Sequence, residues 1–176
     1  MKLLVLSTSL NPGSKSRLLA EAASSALTTE NIDHTNLDLK DLPLPLCDGG
    51  AAYGDPNTAK AGEIVKAADG IIVASPIYNY DVNAAFKNLV ELTGKAAWEN
   101  KTVAFLNAAG GHSSYMSVMA VANSLMLDFR CVIVPRFVYA TPGDFDDSGI
   151  SNDALRNRVT DCALAAAELS RQRAGS

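Results

Sequence analysis

The sequence contains few cysteines and few histidines, and each shortage excludes a class of site. Its three cysteines, Cys47, Cys131 and Cys162, lie far apart without a CxxC pair, which excludes a disulfide scaffold and makes a zinc site improbable. Its two histidines, His34 and His112, lack the neighbours that a metal hydrolase or a Ser-His-Asp site requires. We therefore expect no metal site.

Positive charge and long apolar runs are also scarce. Fifteen Lys and Arg against 19 Asp and Glu give a net charge of −4, so no basic field favours nucleic acid or an anionic membrane as a partner. Apolar stretches such as 71–74 and 131–134 are far shorter than the roughly 20 residues of a membrane span. The apolar run 3–6 is too short for a signal sequence. These features predict a cytoplasmic protein, and 176 residues suit a single domain, 1–176.

Short apolar runs alternate with segments of helical periodicity. The predicted strands are 3–6, a weaker 34–39, 71–74, 103–106 and 131–134, and five amphipathic helices follow them. This alternation is typical of a parallel sheet covered by helices on both faces. Five units of about 35 residues predict an α/β fold, a flavodoxin-like, doubly wound five-stranded parallel sheet of order 2-1-3-4-5. The Pro- and Gly-rich segment 41–56 is expected to be a surface loop.

A serine-rich segment, 7–17, follows the first strand and leads into a helix expected to begin near Ser14 or Ser16. Free N–H groups at a helix N-terminus, serine hydroxyls and a cation together predict a phosphate cradle. The spacing fits neither GxxxxGK[ST] nor GxGxxG, which disfavours a P-loop NTPase and a Rossmann dinucleotide site. A serine-capped helix after a turn is the simpler alternative.

Two further loops are predicted at the same edge of the sheet, where open α/β sheets bind ligands. Residues 75–88 follow the third strand and carry Tyr78, Asn79 and Tyr80, which could border a flat polar ring. Residues 107–115 follow the fourth strand, and their adjacent glycines allow backbone to approach a ligand closely. His112 beside those glycines is a surface or capping residue or else part of a substrate pocket.

The motif Pro-Ile-Tyr-Asn at 76–79, followed by Phe-Lys-Asn at 86–88, resembles the NAD(P)H-dependent FMN reductases of the flavodoxin-like superfamily, which include quinone, azo and chromate reductases. The resemblance covers about residues 2–145. It implies a serine loop that holds the FMN phosphate, a PxYN loop that lines the isoalloxazine ring and a Gly-Gly loop on the pyrimidine side. The implied cofactor-binding residues are Ser9, Ser14, Lys15, Ser16, Arg17, Pro76, Ile77, Tyr78, Asn79, Tyr80, Ala109, Gly110 and Gly111, and the substrate pocket is assigned to Tyr80 and His112.

The sequence departs from the family pattern at two places. The arginine usual at the start of the serine loop is missing, so Lys15 or Arg17 must replace it. Where the family has a small residue and a proline after PxYN, this chain has Tyr80 and Asn83, which leaves the substrate preference open.

The resemblance implies an FMN-dependent oxidoreductase with NAD(P)H as co-substrate, in which the flavin carries the chemistry and no catalytic side chain is assigned. The expected acceptor is a small molecule: free flavin, a quinone, an azo compound or a metal oxyanion. A homodimer or homotetramer is expected, with the apolar helix at 115–127 as a possible contact. The alternative is a flavodoxin-type electron carrier that does not oxidise pyridine nucleotide. A phosphoaccepting receiver domain is excluded because no acidic pair follows the first strand.

Overall fold

A parallel sheet forms the centre of the molecule in the computed structural model, which describes residues 1–174. Its main path has the order β2-β1-β3-β5-β6, and the pairs along this path are parallel. This confirms the predicted α/β, doubly wound, flavodoxin-like arrangement. The strands are β1 (Leu3–Ser7), β2 (His34–Asp38), β3 (Gly70–Tyr78), β4 (Asp81–Val82), β5 (Thr102–Ala108), β6 (Val132–Ile133), β7 (Val138–Ala140), β8 (Phe145–Asp146) and β9 (Gly149–Ile150).

The last predicted strand, 131–134, is wrong in its extent. The structure divides this edge into β6 and β7, which pair with successive parts of β5. Pro135 lies between the two pieces, and a proline cannot donate a ladder hydrogen bond and so interrupts a strand. The interruption places the chain after β7 at the carboxyl edge, where it borders the candidate site.

Helices cover both faces of the sheet within the described residues. They are α1 (Lys15–Thr29), α2 (Pro56–Lys66), α3 (Ala84–Trp98), α4 (Met119–Phe129) and α5 (Asp153–Ala174). Strand β3 shows how the two cores form: Ile71 and Val73 pack into the core with α2, α3 and α4, whereas Ile72 and Ala74 face the core with α1 and α5. Alternate residues of a strand point to opposite faces, which is why β3 reads as a continuous apolar run.

The start of α3 is fixed by aromatic packing. Phe86 in its first turn is fully buried and contacts Trp98 and Phe105 edge to face, with centroid separations of 5.8 and 6.4 Å. Such pairs add to the stabilisation from burial alone. The chain between β3 and α3 is thereby held at the carboxyl edge of the sheet.

Segment 41–56 is an irregular loop apart from a short 3₁₀ turn, Ala51–Gly54, and the beginning of α2 at Pro56, as predicted. Asn88 of α3 anchors it: the amide nitrogen of Asn88 donates to the Pro45 carbonyl at 2.9 Å, and its oxygen accepts from the Cys47 N–H at 2.8 Å. No helix within residues 1–174 has the length and apolar character of a membrane span.

Candidate active site

The three predicted loops meet around a cavity of about 230 Å³ at the carboxyl edge of the sheet. Seven of the predicted site residues line it: Ser14, Lys15, Ser16, Pro76, Tyr78, Ala109 and Gly110. Six further lining residues were not predicted: Asn11, Gly13, Ala108, Thr141, Pro142 and Phe145. The remaining predicted residues, Ser9, Arg17, Ile77, Asn79, Tyr80, Gly111 and His112, belong to the same loops but do not line this cavity.

The serine loop, defined here as residues 8–14, ends at the N-terminus of α1. Ser14 is the residue before the helix, yet its side chain makes no capping hydrogen bond. Its hydroxyl oxygen instead lies 2.8 Å from that of Ser16, and both side chains are buried. Because a helix N-terminus has unsatisfied N–H groups and a partial positive charge, the two hydroxyls and the α1 N–H groups form a donor set suited to an anion.

Arg17, in the first turn of α1, braces the serine loop. Its guanidinium donates to both carboxylate oxygens of Asp38, at 2.5 and 3.4 Å, and to three backbone carbonyls of the loop: Ser9, Asn11 and Pro12. The hydrogen bond to Asp38 raises the pKa of Arg17 above its ordinary value. All five N–H donors of an arginine are therefore used, and the role of phosphate ligand predicted for Arg17 does not fit this geometry.

Lys15 is the basic residue that lines the cavity. Its Nζ lies 4.7 Å from the centre of the Phe145 ring, within the range of a cation–π interaction. Phe145 itself is buried and lines the same cavity. Of the two cations proposed to replace the missing family arginine, the structure therefore favours Lys15.

The aromatic loop is a tight β-hairpin. Strands β3 and β4 are antiparallel, with Tyr78 paired to Asp81, so Asn79 and Tyr80 form a two-residue turn. Both have positive φ, 52° and 67°, as a type I′ turn requires. Asparagine tolerates this conformation, but a tyrosine is strained there. Glycine would be the ordinary choice in place of Tyr80.

The two tyrosines of the hairpin face outward. Tyr78 and Tyr80 are 54% and 55% exposed, whereas Ile77 is only 7% exposed and packs in the core with α2, α3 and α4. Exposed aromatic rings beside the cavity can contact a flat ligand. Ile77 can support the loop but does not present its side chain to the cavity.

The glycine loop, which contains Gly110 and Gly111, is hydrogen-bonded to β7, and its backbone at Gly110 is open. The Tyr139 hydroxyl donates to the Gly111 carbonyl at 2.5 Å, and the Ala109 N–H donates to the Ala140 carbonyl at 2.9 Å. Apart from Gly110 itself and its two chain neighbours, no atom lies within 4 Å of the position that a Cβ would occupy at Gly110, so this backbone is open to a ligand. His112 is exposed in the 3₁₀ turn His112–Ser114.

A fourth wall, residues 141–145, follows β7 and was missed because the predicted strand ended at residue 134. Asp144 holds it together by accepting from the Thr141 N–H at 2.7 Å, from the Thr141 hydroxyl at 3.1 Å and from the Asn152 amide at 2.7 Å. Burial opposes ionisation of Asp144, but these hydrogen bonds outweigh it and lower the pKa of the carboxyl group. The carboxylate form therefore fixes this wall.

A larger cavity of about 420 Å³ lies beside the serine loop, between the segment after β2 and the start of α3. Its lining is mostly aliphatic, with Leu10, Leu42 and Leu44 among the contacts. The Asn88 amide at its border is already bonded to Pro45 and Cys47. The one cation among this cavity's described lining residues, Lys40, is paired with Asp41 at 3.0 Å. A phosphate requires donors, so the smaller cavity with its serines, lysine and helix N-terminus is the better anion site.

Two of the three thiols are buried and held protonated. Burial raises the pKa of Cys131 to about 11 and that of Cys162 to about 12, and each thiol donates to a backbone carbonyl. Buried thiols of this kind are inert. Cys47 is half-buried in the Pro-rich loop and does not line the candidate cavity.

Comparison with known proteins places this site in a family context. Residues 1–146 match the family model described as NADPH-dependent FMN reductase. The chain is 29% identical over 168 residues to an NAD(P)H-dependent FAD/FMN reductase of Geobacillus thermodenitrificans, covering 93% of this chain and 90% of that protein. It is 30% identical over 140 residues to the FMN reductase (NADPH) of Pseudomonas aeruginosa, covering 78% and 75%.

A solved structure supports the fold independently. The flavoenzyme NAD(P)H:(acceptor) oxidoreductase FerB from Paracoccus denitrificans superposes with a TM-score of 0.77 at 15% identity, covering 97% of each chain. At this identity the similarity concerns the fold alone. The family model matches most of the chain and includes all three loops of the cavity, and the chain therefore belongs to the NADPH-dependent FMN reductase family.

Proposed function

We propose that this protein is an FMN-dependent oxidoreductase that takes hydride from NAD(P)H and delivers the electrons to a small acceptor: free flavin, a quinone, an azo compound or a metal oxyanion. One observation carries the proposal. The uncapped N-terminus of α1, with buried hydroxyls at Ser14 and Ser16, faces a cavity that also contains Lys15 and Tyr78. A phosphate site and an aromatic border thus stand together in a chain of the FMN reductase family.

The residues present fit the phosphate of FMN. The N–H groups of α1 and the hydroxyls of Ser14 and Ser16 would hold the phosphate, and Lys15 would neutralise part of its charge. Asn11 and Gly13 line the same cavity. The buried position of both serines limits competition from water for these hydrogen bonds.

The flavin ring is assigned to the space between the aromatic hairpin and the glycine loop. Pro76 and Tyr78 border it on one side, and Ala109 and Gly110 border it on the other, with Gly111 next to them in the same loop. Tyr80 and His112 are proposed to lie where nicotinamide and acceptor bind in turn.

FMN, when bound, supplies the redox chemistry by accepting hydride and passing electrons on. The protein is left with binding and orientation, which explains why the cavity needs no acid–base pair. The serine loop, whose backbone is held by Arg17, holds one end of the cofactor, while the exposed tyrosines leave the other end accessible.

The experiment is anaerobic reduction of the purified, FMN-loaded protein. NADPH or NADH should bleach the flavin absorbance near 450 nm, and the rate should be at least about tenfold higher than that for free FMN. Addition of an acceptor should then restore the colour. Boiling should release FMN. A protein that binds FMN but is not bleached by either nucleotide would be the flavodoxin-type carrier instead, and one that binds no FMN would contradict both functions.

A homodimer is part of the proposal and is supported by an apolar surface around α4. Its exposed members are Tyr115, Met116, Met119, Met126 and Leu127, of which Leu127 is 66% exposed. Met and aromatic residues are enriched in protein interfaces. Light scattering should give twice the monomer mass for the parent and the monomer mass for Leu127→Glu; a monomeric parent would contradict the dimer.

We also propose a cytoplasmic location. The three cysteines are free thiols, which suits a reducing compartment. Fractionation of cells that express the tagged chain tests this directly, since recovery outside the cytoplasm would overturn the assignment.

A further inference from the structure

Asn83 occupies an unusual position. It is the residue immediately before α3, where asparagine ordinarily accepts a hydrogen bond from the first turn of its own helix. Here its side chain makes no such bond, although its backbone has the extended conformation of a cap. The side chain is 5% exposed and is used elsewhere.

The Asn83 amide holds Thr8 through two of that residue's polar groups, the hydroxyl and the carbonyl. Its oxygen accepts from the Thr8 hydroxyl at 2.7 Å, and its nitrogen donates to the Thr8 carbonyl at 2.7 Å. Thr8 is fully buried, and its own N–H donates to the Ala74 carbonyl at 3.0 Å. The two residues are 75 positions apart in the chain.

The contact joins two walls of the candidate site. Thr8 is the first residue of the serine loop, and Asn83 follows the hairpin that carries Tyr78 and Tyr80. The Ser75 hydroxyl lies 3.1 Å from the same Asn83 oxygen, so the end of β3 is included in the network. The serine loop is therefore held at two places, at Thr8 by Asn83 and further along by Arg17.

We propose that Asn83 is a positioning residue for the phosphate of FMN: by gripping Thr8 it fixes the serine loop against the aromatic hairpin. The inference rests on the proposed function, since it concerns how that cofactor is held. The hairpin keeps its own strand pairing, Ile77 to Val82, without Asn83. Loss of the amide therefore loosens the serine loop, which binds phosphate, more than the hairpin, which borders the ring.

The test compares FMN with riboflavin, which lacks the phosphate, in Asn83→Leu. FMN should bind about tenfold more weakly, a change of about 1.4 kcal/mol, while riboflavin affinity changes by less than about threefold. The visible spectrum of bound riboflavin should stay that of the parent. If the substitution instead loosened the whole fold, the affinities for FMN and for riboflavin would fall by the same factor. The melting temperature would then fall while the ratio of the two affinities stayed unchanged.

Asn88→Leu is the matched control. Asn88 is on the same helix and also grips a loop through both amide atoms, but that loop is the Pro-rich segment at Pro45 and Cys47. It should leave the ratio of FMN to riboflavin affinity unchanged. An equal change of the ratio in both variants would overturn the assignment to Asn83.

A second pair keeps the test decisive if Asn83→Leu does not fold. Thr8→Val removes the hydroxyl, which reaches the Asn83 oxygen at 2.7 Å and the Ala74 carbonyl at 3.2 Å, and should lower FMN affinity selectively, whereas Thr8→Ser retains it and should keep parental binding. An unchanged ratio in folded Thr8→Val, or equal losses for both ligands, overturns the proposal. If the parent itself binds neither ligand, the proposed function fails instead, and the two failures are distinct.

Discussion

The serine loop and the hairpin tip, Asn79–Tyr80, lie at the same edge of the sheet but are built in opposite ways. Thr8 and Ser9 of the serine loop are buried and residues 10–13 are exposed, but side chains from α1 and from the residue before α3 hold the loop's backbone. The hairpin tip is exposed, and both of its residues have positive φ. One wall of the site is immobilised and the other is presented to solvent.

The contrast matches two tasks of a flavin enzyme. Holding a phosphate requires donors fixed in advance, because ordering them on binding costs affinity. Admitting nicotinamide and acceptor in turn requires an open surface. The strain of a tyrosine in a left-handed conformation persists only where the surroundings impose it, and here the β3–β4 pairing does so.

The largest expected effect comes from removing the brace of the serine loop with Arg17→Met. The Arg17 and Asp38 side chains are only 15% and 19% exposed, so the variant strands a poorly solvated carboxylate, at a cost of about 3 kcal/mol in the free energy of unfolding. FMN affinity should fall as well, because three carbonyl anchors of the loop are lost. Urea unfolding and flavin titration measure the two effects.

Arg136→Met is the control for that variant. The ion pair of Arg136 with Asp161 is more than half exposed at both partners, and its loss should cost less than about 1 kcal/mol. Equal destabilisation by the two variants would mean that Arg17 does not brace the loop.

A smaller effect is expected from Ser16→Asp, which tests the phosphate cradle. Ser16 is fully buried beside Ser14, so a carboxylate there would repel the FMN phosphate. FMN should bind at least tenfold more weakly, about 1.4 kcal/mol, and riboflavin should lose much less, as fluorescence titration can show.

Ser25→Asp adds the same charge to an exposed position of the same helix. It should leave the affinity for both ligands near the parental values. Equal losses for FMN and riboflavin in Ser16→Asp would contradict the assignment of the N-terminus of α1 to the phosphate.

Substitutions of Tyr80 test the exposed hairpin tip. Tyr80→Ala should keep most of the FMN but change KM or kcat for a quinone and an azo dye, because the open pocket is reshaped. Tyr80→Gly should do the same and be more stable than Tyr80→Ala by about 1 kcal/mol, since glycine adopts positive φ without strain.

Tyr53→Ala removes another half-exposed tyrosine, one in the Pro-rich loop, and should leave these kinetics unchanged. Parental kinetics with both acceptors in Tyr80→Ala would mean that this residue does not line the pocket.

Most of the fold could be predicted, because the periodicity of apolar residues and the lengths of apolar runs can be read from short stretches of sequence. Four predicted strands and all five helices correspond to elements of the sheet and its covering layers. The fifth strand, predicted at 131–134, was in the right place but wrong in its extent, because the edge of the sheet resumes after Pro135 as β7. Since that strand was ended too early, the wall at 141–145, with Thr141 and Phe145, was missed.

The location of the site could be predicted, because its three loops follow the carboxyl ends of predicted parallel strands. Comparison with known proteins confirmed the family, the FMN-dependent activity and the cofactors, while the individual site residues stay predictions. Arg17 was given a phosphate role because a cation near a cradle suggests one, but its partner Asp38 ends the neighbouring strand and competes for it. The Asn83 to Thr8 contact could not be predicted, since it depends on the side-chain geometry of residues 75 positions apart.

The smallest expected effect concerns segment 141–145. The prediction tests whether side-chain hydrogen bonds hold this segment in place, as they hold the serine loop, or whether it depends on no such contacts, like the exposed hairpin tip. The folded pKa of Asp144 lies below its ordinary value. Its contribution to stability is therefore present above the unfolded pKa, about 3.9, and is lost as the pH falls through the folded value. Asp144→Asn should lower stability at pH 7, and the difference from the parent should shrink between pH 5 and pH 3. Urea unfolding at several pH values, with exposed Asp147→Asn for comparison, measures this; a difference that does not vary with pH would show that the wall does not depend on the Asp144 carboxylate.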